Sequence, residues 1–257
     1  MGDKKKTTSI RAISIRTILP NVVTLCAFMA GVTSMRFAFA EKWELAATAI
    51  AVAGILDGLD GTVARLLKST SKFGAELDSL SDVVSFGVAP AVVVYLWSLQ
   101  SLDRFGWAVA LIYATAMALR LARFNARLED QDEPRKRLGF LTGVPAPMGA
   151  ALLLTPMMID LALNDGLMRS HSLWVSIYTI VIALLIVSTI PTISLKALRV
   201  PRTAFVPVML VIGIVLAGLF VRTWAVLALI SALYIAFLPV NMWAFRKRLA
   251  VKGVKNK

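Results

Sequence analysis

Apolar stretches long enough to cross a bilayer recur along nearly the whole chain, and no other feature restricts its fold as strongly. A hydrocarbon core about 30 Å thick takes about 20 helical residues. Eight segments fit, within soft boundaries: 18–39, 43–66, 75–97, 106–121, 145–163, 173–193, 204–220 and 224–243. The fourth and seventh are short. Each is expected to be helical, because a helix pairs its own backbone groups where no water can. A hydrophobic share of 58% and a mean hydropathy of +0.75 fit the same solvent. Too little chain remains for a separate soluble domain, so one all-α integral membrane domain over 1–257 is expected.

The net charge of +13 would suit a nucleic-acid partner, but the basic residues lie almost wholly in connections between apolar runs. Of the 28 lysines and arginines, Lys42, Arg104, Arg169 and Arg222 fall on one side, Arg36 lies within the first segment, and the rest gather on the other side. Lysine and arginine accumulate in cytoplasmic connections. An even number of helices with both termini cytoplasmic follows; an odd number would erase the bias. Residues 8–18 mix isoleucine with Arg11 and Arg16, which suits either an arm on an anionic leaflet or a disordered basic tail. Lys4 to Lys6 ahead of an apolar run, with Ala38-Phe39-Ala40 beyond it, imitates a signal peptide. That segment is longer than the usual span of about 15 to 30 residues, and Arg36 interrupts it, so it is read as the first membrane helix.

Some chemistries lose their usual residues. Cys26 is the only cysteine and sits in an apolar run, which supports neither an intrachain disulfide nor a cysteine metal site. The single histidine, His171, falls in a short connection.

Carboxylates are the anomaly. A charge near the bilayer centre costs at least about 2.5–3.5 kcal/mol, yet Asp57, Asp60, Asp78 and Asp82 fall within 26 residues. The first two are three apart near the end of the second segment, and the others four apart at the start of the third. Both spacings put a pair on one helix face. Such converging charges are relieved by protonation or by cations. An all-oxygen set points to hard divalent ions, magnesium, manganese or calcium. Two ions sharing bridging aspartates would suit phosphoryl transfer, where both the attacking and the leaving oxygen need a clamp. Gly58, Gly61, Ala64 and Gly74 flank the turn. Small residues there either admit a flat or anionic ligand or let two helices pack tightly.

These residues form the pattern Asp57-x-x-Asp60-Gly61-x-x-Ala64-Arg65, eight residues, Gly74-x-x-x-Asp78-x-x-x-Asp82. It resembles the signature of the CDP-alcohol phosphotransferases, with every fixed position at the right spacing. The resemblance implies that family's membrane fold and transfer of a phosphoalcohol from a cytidine-diphosphate donor to a hydroxyl, with release of CMP. Asp78-Ser-Leu-Ser-Asp82-Val-Val-Ser-Phe-Gly-Val-Ala-Pro90 is similar to the bacterial and archaeal members that use serine as acceptor; Ser79 stands where the glycerophosphate-accepting members more often have proline. Leu19-Pro20-Asn21-Val-Val-Thr24, Arg120-Leu-Ala-Arg123-Phe124-Asn125 and Thr142-Gly143-Val-Pro145-Ala-Pro147 extend the similarity through roughly the first 160 residues.

The resemblance implies site roles. Asp57, Asp60 and Asp78 would hold one metal ion, and Asp57, Asp78 and Asp82 a second, magnesium or manganese, with Asp82 also the general base. Gly61, Ala64 and Gly74 would accommodate the cytidine, with Arg65 near its phosphates. Asn21 and Thr24 would add hydrogen bonds to cytosine or ribose, or else cap and pack a membrane helix. A serine carboxylate calls for an arginine fork, and Arg120 and Arg123 are candidates, with Asn125 close behind; positive-inside anchoring explains terminal arginines equally. Lys72 touches phosphate or is solvated. The expected reaction is direct attack of the L-serine hydroxyl on CDP-diacylglycerol, in a homodimer of a prokaryotic inner membrane, with the site facing the cytoplasm. Residues 1–17 would then be the basic arm, 18–163 the catalytic helices, 173–243 helices without an assigned role, and 244–257 a basic tail. Rival readings are another acceptor (glycerol 3-phosphate, inositol phosphate or choline), a polytopic transporter with a carboxylate path, and a scaffold without activity.

Overall fold

The computed structural model describes residues 15–67, 71–128, 140–188, 191–193 and 204–252. The basic arm before residue 15, the basic cluster at 135–137 and the last five residues of the tail lie outside them. Helices dominate: α1 (Ile15–Phe39), α2 (Trp43–Leu66), α3 (Lys72–Asp82), a π-helical turn (Val83–Val88), α4 (Ala89–Trp97), a 3-10 turn (Leu99–Leu102) and α5 (Asp103–Leu128). They continue with α6 (Ala146–Leu163), the short α7 (Leu167–Ser170), α8 (Ser172–Val187), α9 (Phe205–Val221) and α10 (Thr223–Lys252). Two three-residue strands, β1 (Phe140–Thr142) and β2 (Pro191–Ile193), pair antiparallel with Phe140 opposite Ile193.

All eight expected apolar helices are present among the described residues, with corrected lengths. Six stretches are long and apolar enough to cross a membrane: Ile18–Phe39, Trp43–Leu66, Lys72–Trp97, Leu99–Ala126, Ala146–Leu163 and Thr223–Val240. The fourth, expected short, is among the longest, because the backbone stays helical past Arg120, Arg123 and Arg127 after the apolar run has ended. The sixth, expected to reach residue 193, stops at Val187, and Pro191 opens β2 instead. Proline disfavours helix in the residue before it. At 16 and 17 residues, α8 and α9 reach about 24–26 Å at 1.5 Å per residue.

The packing is that of a membrane bundle. α1 lies along α2, α5 along α8, and α10 along α6. Small residues Ala46, Ala47 and Ala53 of α2 are buried, with Phe86, Val93, Trp97, Tyr113, Met117 and Leu152 at the centre. Large apolar side chains point outward instead, among them Ile177 and Leu184 of α8 and Val206 and Phe220 of α9. That much exposed apolar surface suits lipid rather than water.

Gly31 shows how tightly α1 crosses the π-helical turn. A Cβ there would lie 2.7 Å from the Ser85 Cα. The Ser85 hydroxyl donates to the Ala27 carbonyl (3.4 Å), and the Ser81 hydroxyl to that of Thr24 (3.4 Å). At the far end of the bundle a separate polar cluster is internally satisfied. The buried Asp160 carboxylate accepts the backbone N–H groups of Met168 and Arg169 (2.8 Å each), and Arg169 Nε donates to the Trp97 carbonyl while its guanidinium stacks 5.0 Å over the Trp43 ring.

Candidate functional site

α2 and α3 bring one carboxylate-bearing face onto another. Ser71 starts α3: its side chain accepts the Gly74 N–H at 3.0 Å, an N-cap that satisfies one orphan donor. The α3 face three and four residues on then meets α2. One carboxylate oxygen each from Asp57, Asp60 and Asp78 lie within 4.8 Å of one another. Asp82, one turn beyond Asp78, brings its carboxyl group against that of Asp57. All four aspartates are therefore gathered as their spacing predicts. Asp60 is buried, and the Thr24 hydroxyl of α1 donates to its Oδ2 at 2.7 Å.

Clustered oxygen donors on two rigid helices fit a hard divalent cation, since such an ion both neutralises the charges and orders them. The two halves of the motif differ in what their glycines do. Gly58 and Gly61 face open space, with nothing within 4 Å of where a Cβ would stand, so helix packing does not demand them. At Gly74 a Cβ would lie 2.8 Å from Asn21 Oδ1 and 3.1 Å from Ser71 Oγ, so α1 and α3 close on each other there. Beside Gly61 a cavity opens, walled by Asn21 and Thr24 of α1, Asp60, Gly61 and Ala64 of α2, the N-cap Ser71, and Gly74 and Asp78 of α3. Seven residues singled out in the sequence thus share one concavity. Ser71 completes the wall, and a serine immediately before an amphipathic run is the signal by which sequence alone can find such an N-cap.

Other candidates are engaged differently from the sequence expectation. Thr24 spends its hydroxyl on Asp60. Arg65 folds back on its own helix, Nε donating to the Gly61 carbonyl at 2.8 Å, and stays exposed. Arg123 Nη1 donates to the Val187 carbonyl at 2.7 Å, capping the end of α8. Asn125 Nδ2 donates to Ser79 Oγ at 2.8 Å and ties α5 to α3. Arg120 is the exception. Its Nε and Nη1 are buried without a hydrogen-bond partner among the described residues, and its charge acts on Asp82 and Asp57. A buried guanidinium with orphan donors is costly unless a ligand completes it.

Residues 17–190 match the CDP-alcohol phosphatidyltransferase family. The match runs past residue 160, roughly where the motif similarity ends. Curated relatives named CDP-diacylglycerol--serine O-phosphatidyltransferase include one from Mycobacterium tuberculosis, 37% identical over 225 residues, covering 86% of this chain and 77% of that protein. One from Helicobacter pylori is 32% identical over 240 residues, 93% of this chain and 95% of that protein. Another, from Methanocaldococcus jannaschii, is 47% identical over 100 residues, 39% of this chain and 44% of that protein.

Proposed function

Because the chain belongs to the CDP-alcohol phosphatidyltransferase family, we propose that its aspartate site transfers the phosphatidyl group of CDP-diacylglycerol to the hydroxyl of L-serine, yielding phosphatidylserine and CMP. The observation that carries the reading is the gathering of Asp57, Asp60, Asp78 and Asp82 beside an open cavity, in a chain whose relatives over most of its length bear that activity's name.

Asp57, Asp60 and Asp78 would hold one divalent ion, and Asp57, Asp78 and Asp82 a second, magnesium or manganese. Bound there, the ions supply charge neutralisation for the diphosphate and polarise the incoming hydroxyl. The chain's own groups do the rest. The open face of Gly61 and the cavity wall at Ala64 receive the cytidine, Gly74 lets Asn21 approach, and Thr24 holds the Asp60 carboxylate in place. Arg65, exposed at the rim, can swing toward the phosphates. Arg120 offers its orphan donors to the serine carboxylate, while Arg123 and Asn125 brace the α5 end that carries it. Asp82 takes the proton as the serine oxygen bonds to the lipid-bearing phosphorus. The bond from that phosphorus to the bridging oxygen breaks in the same displacement, and the electron pair leaves with CMP. The lysine and arginine distribution supports placing this end of the bundle, and both termini, in the cytoplasm, so that acyl chains stay in the bilayer while nucleotide and serine arrive from water. A prokaryotic inner membrane and a homodimer complete the reading, on family resemblance.

The test is an acceptor panel. Purified protein in detergent with CDP-diacylglycerol and magnesium or manganese is expected to release CMP with L-serine; CMP release with glycerol 3-phosphate, inositol phosphate or choline in place of serine would sink the acceptor assignment. A second prediction concerns Gly61. Since its Cβ position faces open space, Gly61→Leu is expected to leave the thermal unfolding midpoint unchanged while CMP release falls by at least about tenfold, through a raised requirement for the CDP-lipid. A lowered midpoint with an unchanged donor requirement would mean that the glycine serves packing.

A further inference from the structure

We infer that Tyr113 is a positioning residue of the active site, holding the π-helical turn that aims Asp82. This rests on the aspartate site being the catalytic one. The turn Val83–Val88 begins immediately after Asp82, where α3 would otherwise run straight into α4. A π turn takes up one more residue than an α turn, and one residue is about 100° of helix rotation. Without it, the face carrying Asp78 and Asp82 would swing away from Asp57 and Asp60 relative to the buried face of α4.

What maintains the turn is visible in its carbonyls. Pro90 has no N–H to give to the Phe86 carbonyl four residues back, and its ring crowds that oxygen. The Tyr113 hydroxyl, reaching from α5 and fully buried, donates to the Phe86 carbonyl at 3.0 Å. From the other side Ser85 presses on Gly31 of α1, and a Cβ at Gly87 would lie 3.3 Å from the Met117 side chain of α5. Tyr113 stands two helical turns before Arg120, on the same face of α5. One helix face thus carries both the grip on the turn, at Tyr113, and the guanidinium whose charge acts on Asp82.

The protein contains its own control. Pro156 likewise withholds an N–H from the Leu152 carbonyl, and the Tyr178 hydroxyl donates to that carbonyl at 2.7 Å, on helices that carry none of the four aspartates. The same bond type serves both places; only one adjoins the site.

The experiment compares the parent chain with Tyr113→Phe and Tyr178→Phe, each intact and in detergent, by three readings: thermal unfolding, calorimetric binding of manganese without substrate, and steady-state CMP release with CDP-diacylglycerol and serine. Tyr113→Phe is expected to lower kcat by about tenfold and to weaken manganese binding, with KM for the CDP-lipid as in the parent. Tyr178→Phe is expected to lower the unfolding midpoint alone. Two variants that differ from the parent only in unfolding midpoint, or that lose kcat equally, would overturn the inference. Should Tyr113→Phe fail to fold, Pro90→Ala returns a backbone donor to Phe86 and lets the turn relax; it is expected to fold with lower kcat and weaker manganese binding, and parental values for both would overturn the inference. A parent chain that releases no CMP would instead remove the functional reading, leaving manganese binding to decide whether Tyr113 positions the carboxylates.

Discussion

Asp82→Asn is expected to abolish CMP release, by a factor of at least about 10³, within the range that general acid–base catalysis supplies, while the folded protein is recovered in parental amount. The substitution preserves shape. An amide can still hydrogen-bond to the Asp57 carboxylate it meets, so α2 and α3 keep their contact. What it removes is a proton acceptor beside the position assigned to the serine hydroxyl, together with one negative charge of the proposed second ion site. The check is CMP release at saturating serine and CDP-diacylglycerol, alongside thermal unfolding and the elution profile in detergent. Retained turnover would refute Asp82 as the base.

Arg120→Met is expected to raise the serine concentration for half-maximal CMP release by about 100-fold, since truncating one partner of a buried charge-assisted pair costs about 2–5 kcal/mol. The requirement for CDP-diacylglycerol should stay parental. The basis is specific to this guanidinium: its Nε and Nη1 are buried and unpartnered among the described residues, whereas the neighbouring Arg123 already gives Nη1 to the Val187 carbonyl. Arg123→Met is therefore the comparison, and its expected effect falls on stability at the end of α8. An unchanged serine requirement in Arg120→Met, or an equal change in both variants, would take the acceptor carboxylate away from Arg120.

These two arginines mark where sequence reasoning stopped. Three residues apart on one helix, they are equivalent by spacing, and neither periodicity nor charge separates them. The partner that distinguishes them, the Val187 carbonyl, lies 64 residues away from Arg123. The glycines behave the same way: Gly61 and Gly74 are alike as letters, yet one faces open space and the other lies under Asn21 of α1. Helix ends are hidden from the sequence for a related reason. Hydropathy detects where an apolar run ends, so the arginine-bearing last turns of α5 fall outside the run, while the strand at Pro191 falls inside the sixth apolar run. The π-helical turn after Asp82 had only Pro90 as a local sign, and a proline in a membrane helix admits several outcomes.

The sequence by itself determined the membrane class, the helical order and the all-oxygen donor set of the candidate metal site. Apolar run length, the three- and four-residue spacing of the aspartates and the identity of their donor atoms are local properties, and each has a direct physical consequence without a partner. Only the tertiary structure decided which polar groups are already satisfied and which remain available to a substrate. A hydroxyl, amide or guanidinium is committed or free according to what packs against it from elsewhere in the chain. Thr24 is committed to Asp60, Asn125 to Ser79, Arg123 to Val187 and Tyr113 to Phe86; Arg120 alone of these keeps two buried donors without a partner among the described residues.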